Sequence, residues 1–169
     1  MKESPMLFTK PMVRAIFDGK KTMTRRLKCH VQAGDVVWVK ETFCPRYFDD
    51  GRAAYRADWP DARIEDVVPD PKWRASILMP RRLSRVLLAV LSVRVEPLQA
   101  ITPADILAEG VVLRSHQDQN LGKCPISAFD EKLYPDLRSL WIAGWNGING
   151  KKAPWSSNPA VHVVEFRKL

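Results

Sequence analysis

The pattern of apolar and polar positions divides the chain into short elements, with no internal repeat and no low-complexity stretch. Residues 6–8 read as a short strand. After them, Met12 and Ile16, and Val13 and Phe17, pair at i,i+4 spacing and form the inward stripe of a helix. Pro11 suits its first turn, and Gly19 is placed to end it as a left-handed cap. Residues 21–27 then read as a strand. Gly34-Asp35 marks a turn, valine-rich 36–40 a second strand, and 53–57 a candidate third. The segment 86–95, apolar except for Ser92 and Arg94, carries the strongest strand signal in the chain.

The next helix is punctuated by local chemistry. Thr102 suits the N-cap and Pro103 the first helical position. Ile101 and Ile106 occupy the two positions of a hydrophobic staple, and Gly110 stops the helix. Ser127 is placed to cap a further helix, interrupted near Pro135. Beyond it, Leu137, Leu140, Trp141 and Trp145 form a helical stripe. Residues 161–166 read as a closing strand. Strands and helices do not alternate as a doubly wound sheet requires. The order predicts one α+β domain over 1–169: a mostly antiparallel, barrel-like sheet flanked by short helices. Trp38, Trp141 and Trp145 fall on predicted core faces.

Length and composition narrow the class. A chain of 169 residues with 46% apolar positions can build its own core and is not a disordered segment. The longest uncharged apolar run covers 86–93, far short of the about 20 residues a membrane span needs. The first residues lack the apolar core of a signal peptide. Cys29, Cys44 and Cys124 form an odd set, which fits a reducing compartment. The expectation is a cytoplasmic protein with no membrane partner. Cys29-His30 and Cys44 match no metal-ligand spacing, and neither a metal nor another cofactor is expected.

Charge points to a partner. The chain carries 27 basic against 19 acidic residues, a balance that attracts polyanions. The excess is clustered at Lys20, Lys21, Arg25, Arg26 and Lys28, and again at Arg81, Arg82 and Arg85. Segment 58–80 is rich in Asp, Pro, Arg and Trp, and long loops of this kind are often functional. Trp59, Trp73, Trp155, Tyr47 and Tyr55 lie in polar surroundings where a base could stack, at about 1–3 kcal/mol per base. Arg25, Arg26, Tyr55, Trp59, Arg81 and Arg82 are the candidate contacts for RNA or a nucleoside. His30, His116 and His162 show no triad spacing.

Glu109 stands out on physical grounds. It falls in the last turn of its helix, where the macrodipole disfavours an anion by about 0.3–1 kcal/mol. It is either an exposed surface acid or a functional group that holds Lys21, binds substrate or carries a proton.

The string Gly19-Lys20-Lys21-Thr22-Met23-Thr24-Arg25-Arg26, followed by Gly34-Asp35 and an apolar strand, resembles the ASCH domain family of the PUA-like superfamily. Ile101-Thr102 with Glu109-Gly110, and Val163-Val164-Glu165-Phe166, extend the likeness over nearly the whole chain, apart from insertions at about 45–80 and 111–125. Trp38-Val39-Lys40-Glu41-Thr42 and Met79-Pro80-Arg81 are similar to ASCH proteins of phages and prophages. The resemblance implies a PUA-like barrel with a cleft that engages RNA. One branch of small bacterial members shares the Lys-Thr-x-Thr-x-Arg string and hydrolyses the amide of N4-acetylcytidine. Its catalytic lysine, threonine and glutamate fall on Lys21, Thr24 and Glu109. Arg25 stands where that branch carries an apolar residue.

That chemistry makes demands. A threonine hydroxyl needs a base, and a neutral lysine can serve. Bringing a lysine from about 10.4 to about 7–8 requires about 4 kcal/mol, toward which Lys20, Arg25 and Arg26 push. In a regular strand, however, residues 21 and 24 point to opposite faces. The pair works only if Lys21 lies in the turn after Gly19, or if a bulge re-aims it. Three other readings stand beside amide hydrolysis: a non-catalytic RNA-binding module, a single-strand ribonuclease, and a phage accessory protein acting through protein partners.

Overall fold

The computed structural model describes residues 1–59, 71–111 and 137–169. The expected helix cap at Ser127, the break at Pro135 and nearly all of the 111–125 insertion lie outside the described residues. The elements run β1 (Glu3–Leu7), α1 (Lys10–Phe17), β2 (Met23–Arg26), β3 (Val36–Lys40), β4 (Phe43–Cys44), β5 (Ala54–Tyr55), β6 (Leu87–Pro97), α2 (Pro103–Ala108), α3 (Leu137–Asn149) and β7 (Ala160–Lys168). The fold is α+β, as the element order predicts.

Five strands form one sheet in the order β1-β3-β6-β7-β2. Only β1 and β3 run parallel; the remaining pairs are antiparallel. β4 and β5 form a separate two-stranded ribbon. The ladder leaves β1 and β2 as edges, so the described strands do not close into a barrel. Strand alternation sends Val164 to one face and Val163 to the other. On the Val164 face, α1 packs Val13 and Ile16 against Val37, Val39, Leu88 and Phe166. On the Val163 face, Ile106 of α2 and Leu140, Trp141 and Trp145 of α3 close over Met23, Leu98 and Val161.

Local signals place the helices well. Gly19 has φ +69° and follows the Asp18 cap of α1. Thr102 and Asp105 form a reciprocal capping box at α2, and both staple isoleucines are buried. Four readings need correction. The strand expected over 21–27 is confined to Met23–Arg26. The one expected over 53–57 shrinks to Ala54–Tyr55. Segment 86–95 is not buried throughout: Leu91, at the register shift between Val90 and Ser92, and Val95 are more than half exposed. Trp38 does not face the core. Val37 and Val39 take the inward positions of β3, and Trp38 lies half-buried under Lys40, whose ammonium is 5.4 Å from the ring centre. Among the described residues no helix is long and apolar enough to cross a membrane.

Candidate functional site

The site begins where α1 ends. The positive φ at Gly19 turns the chain back, so that the N–H groups of Lys20 and Lys21 both donate to the Ala15 carbonyl at 2.9 Å. Lys21 therefore sits in the turn before β2, which meets the condition that the opposite-face argument imposes. It pairs antiparallel with Glu109, the residue that caps the C-terminus of α2. Gly110 makes this approach possible. It has φ +84°, and a Cβ there would stand 3.0 Å from the Cβ atoms of Ala15 and Lys21.

The Lys21 side chain is fully enclosed. Its Nζ donates to the Met23 carbonyl at 2.8 Å, the Glu109 carbonyl at 2.9 Å and Glu109 Oε2 at 2.8 Å. These are three acceptors for the three N–H bonds of an ammonium. Burial pushes the Lys21 ammonium below its ordinary range; Glu109 opposes the shift, and the cations of Arg26 and Arg25 add to it. Glu109 itself is 6% exposed, which removes the reading of it as a surface acid. The two cations beside it offset the unfavourable helix end.

Arg25 is as deeply enclosed. Nη2 donates to Glu96 at 2.6 Å and to Asp105 at 2.9 Å, and Nη1 reaches Glu109 Oε1 at 3.4 Å. Nε is buried and has no partner. Burial alone would raise Asp105, but the Thr102 N–H and Arg25 outweigh it and hold its carboxyl below the usual range.

Thr24, Arg25, Arg26 and Glu109 line one side of a pocket of about 40 Å³; Met12 of α1 and Trp141 and Trp145 of α3 line the other. Three consecutive β2 residues border it because β2 is the open edge of the sheet. Thr24 is 1% exposed, and among the described residues no hydrogen bond joins it to Lys21. Trp141 and Trp145 stack with ring centres 5.5 Å apart, and Trp145 is pinned by its N–H to the Ala153 carbonyl at 2.8 Å. Both were expected in the core, and both are; their second position, as pocket wall, had no local signal.

The other candidate contacts do not gather here. Arg26 borders the pocket while its Nη2 donates to the Leu7 carbonyl at 2.7 Å, beside the Phe8 ring. Tyr55 donates to the Leu83 carbonyl at 2.9 Å and lies under Arg85. Trp59 packs edge-on against Tyr47 and Trp73. Arg81 pairs with Glu3 at the surface, and Arg82 is exposed. Tyr55, Trp59, Arg81 and Arg82 do not border the pocket. Nor does the structure place Arg25 at an open surface; its charge is enclosed by three carboxylates.

A second buried pair lies elsewhere. Glu41 is 2% exposed and accepts from Arg85 Nε at 2.9 Å and Nη2 at 3.1 Å. Arg85 also holds Asp58 and rests 4.1 Å from the Tyr55 ring centre and 4.8 Å from that of Phe17. Burial pushes the Glu41 carboxyl up against the opposing pull of Arg85. Among the described residues no cluster of His, Cys, Asp and Glu could hold a metal ion. No family model, curated protein or solved structure matches this chain.

Proposed function

We propose that this chain is an ASCH-type protein whose basic pocket takes a modified nucleoside, free or within RNA, and hydrolyses the amide of N4-acetylcytidine. One observation carries the reading: Lys21 and Glu109, 88 residues apart, meet at 2.8 Å, and Glu109 borders the same pocket as Thr24. A buried lysine shifted downward, touching a carboxylate that borders the same pocket as a threonine, is equipment for moving a proton off a hydroxyl. The PUA-like barrel is part of the same proposal. What supports it is the reach of Arg26, on one edge strand, to the Leu7 carbonyl on the other.

The residues divide the work as follows. Lys21 passes a proton to Glu109 Oε2 and, in its neutral form, turns from the Met23 carbonyl toward Thr24. Thr24 Oγ1 bonds to the acyl carbon as its proton moves to Lys21. The amide C–N bond then breaks, and Lys21 returns that proton to the departing N4. Neutral Lys21 next takes a proton from water as the water oxygen bonds to the acyl carbon. The ester C–O bond breaks, and Lys21 returns that proton to Thr24 Oγ1. The acid leaves as acetate with its proton released to solvent, and Glu109 hands its proton back to Lys21. The sum is one water consumed, with cytidine and acetate released.

Release of cytidine from N4-acetylcytidine tests the proposal. Folded wild type is expected to turn over, and Lys21→Ala and Thr24→Ala to lose at least about 100-fold. Absence of turnover by folded wild type removes the reading. One observation favours a second reading, a non-catalytic RNA-binding module: all three Lys21 donors are already spent. That reading predicts RNA binding that falls steeply with salt, through released counterions, and no cytidine release.

A further inference from the structure

We propose that Arg25 is the positioning residue of this pocket: held by Glu96 and Asp105, it stands 3.4 Å from the second oxygen of Glu109 and sets how fully that carboxylate serves Lys21. The inference rests on the pocket reading for its catalytic consequence, while its electrostatics stand on the geometry alone.

Glu109 lies between two cations. Oε2 faces Lys21 at 2.8 Å and Oε1 faces Arg25 at 3.4 Å, and both cationic side chains are wholly buried. The longer contact is the informative one. Arg25 gives its closest bonds, 2.6 and 2.9 Å, to Glu96 and Asp105. Its charge is thus largely neutralised by those two carboxylates, and Glu109 is left mainly to Lys21. The buried, partnerless Nε fits this account. A residue serving only as a clamp would spend its donors, since an unsatisfied buried N–H costs about 1–3 kcal/mol.

The network extends outward. Glu96 also accepts from Arg94 at 3.1 Å, and Arg94 holds Glu165 and lies 3.6 Å from Asp105. Arg26, on the same strand as Arg25, is the other cation acting on Lys21. The walls from α1 and α3 add no charge to the pocket; they contribute Met12, Trp141, Gly144, Trp145, Ile148 and Asn149. Lys21 therefore answers to one carboxylate and two arginines, and Arg25 is the one whose charge other residues tune.

The sign follows from the arrangement. Arg25→Leu removes a nearby cation and leaves the charges of Glu96 and Asp105 uncompensated, so Lys21 holds its proton to higher pH. Glutamine at position 96 strips Arg25 of its closest anion, so the uncompensated guanidinium drives the proton off Lys21 at lower pH. The two substitutions act in opposite directions, which loss of packing would not do.

The test is an NMR titration of the Lys21 ε-methylene resonances in wild type, Arg25→Leu, Arg25→Lys and Glu96→Gln, with cytidine release measured alongside. The expected midpoints move up by about one pH unit in Arg25→Leu and down in Glu96→Gln, and stay near wild type in Arg25→Lys, which keeps the charge. If Arg25→Leu does not fold, the other two variants carry the test. A Lys21 that titrates at one pH in every folded variant, or stays protonated throughout in all of them, overturns the inference. If wild type releases no cytidine yet the midpoints move as stated, the hydrolytic reading falls and the role of Arg25 stands.

Discussion

Two buried glutamates in this protein each hold a cation, and the cations differ. Glu41 binds Arg85, while Glu109 binds Lys21. Arg85 is a permanent charge presented as a planar fork. It engages both oxygens of Glu41, holds Asp58, and is sandwiched by Tyr55 and Phe17. Such a pair fixes geometry and has no proton to lend. Lys21 is a point charge that can lose its proton, buried against a carboxylate that borders a pocket. The difference teaches where to look for chemistry: at the buried pair whose cation can titrate and whose anion meets open space.

The largest expected effect on stability comes from Glu109→Ala. It leaves the Lys21 ammonium buried without its carboxylate, a change of about 3–5 kcal/mol. Urea denaturation measures it, and a loss below about 1 kcal/mol would mean that Lys21 finds another partner. Exchanging the cations sharpens the contrast. Arg85→Lys loses the fork and the ring contacts, for about 1–3 kcal/mol, and leaves pocket chemistry unchanged. Lys21→Arg keeps the charge, and because a guanidinium does not deprotonate, it ends cytidine release.

The pairs also bend the stability curve at opposite ends of the pH scale. Lys21 is lowered from 10.5 by burial. Between its folded value and 10.5 the unfolded chain holds the proton that the folded chain has lost, so stability rises with pH there. Glu41 is raised from 4.5 by burial. Between 4.5 and its folded value only the folded chain holds the proton, so the stability it contributes at low pH is lost as pH rises. Denaturation across pH should show both slopes, with Lys21→Met removing only the alkaline one and Glu41→Gln only the acidic one. The smallest effect belongs outside both pairs. Thr102→Ala should lower stability by about 1 kcal/mol through loss of the α2 cap, with the Lys21 titration unmoved.

What could be read in advance follows the range of the forces. α2 was legible because Thr102, Pro103, its staple and Gly110 act within one short segment. The stripe of α3 was legible for the same reason, but not its place over β2. Trp38 departs from its expected core face because strand alternation sends Val37 and Val39 inward and leaves Trp38 half-buried between them. Arg25 reads as a contact for a polyanion because it falls in a basic cluster; the carboxylates that enclose it, Glu96 and Asp105, lie 71 and 80 residues away. Lys21 and Glu109 are linked in the sequence by the resemblance and by the anomaly of an acid at a helix end, neither of which fixes their contact. Their contact depends on two left-handed glycines and on the close approach at Gly110, which a one-dimensional pattern does not display.

The central claim is that the lysine pair is the reactive one. Its most direct test is the initial rate of cytidine release from N4-acetylcytidine by wild type, Lys21→Met and Arg85→Lys, each checked for folding by circular dichroism. The account predicts release by wild type and Arg85→Lys, and loss of at least about 100-fold in Lys21→Met. No release by folded wild type, or equal rates in wild type and Lys21→Met, would contradict it.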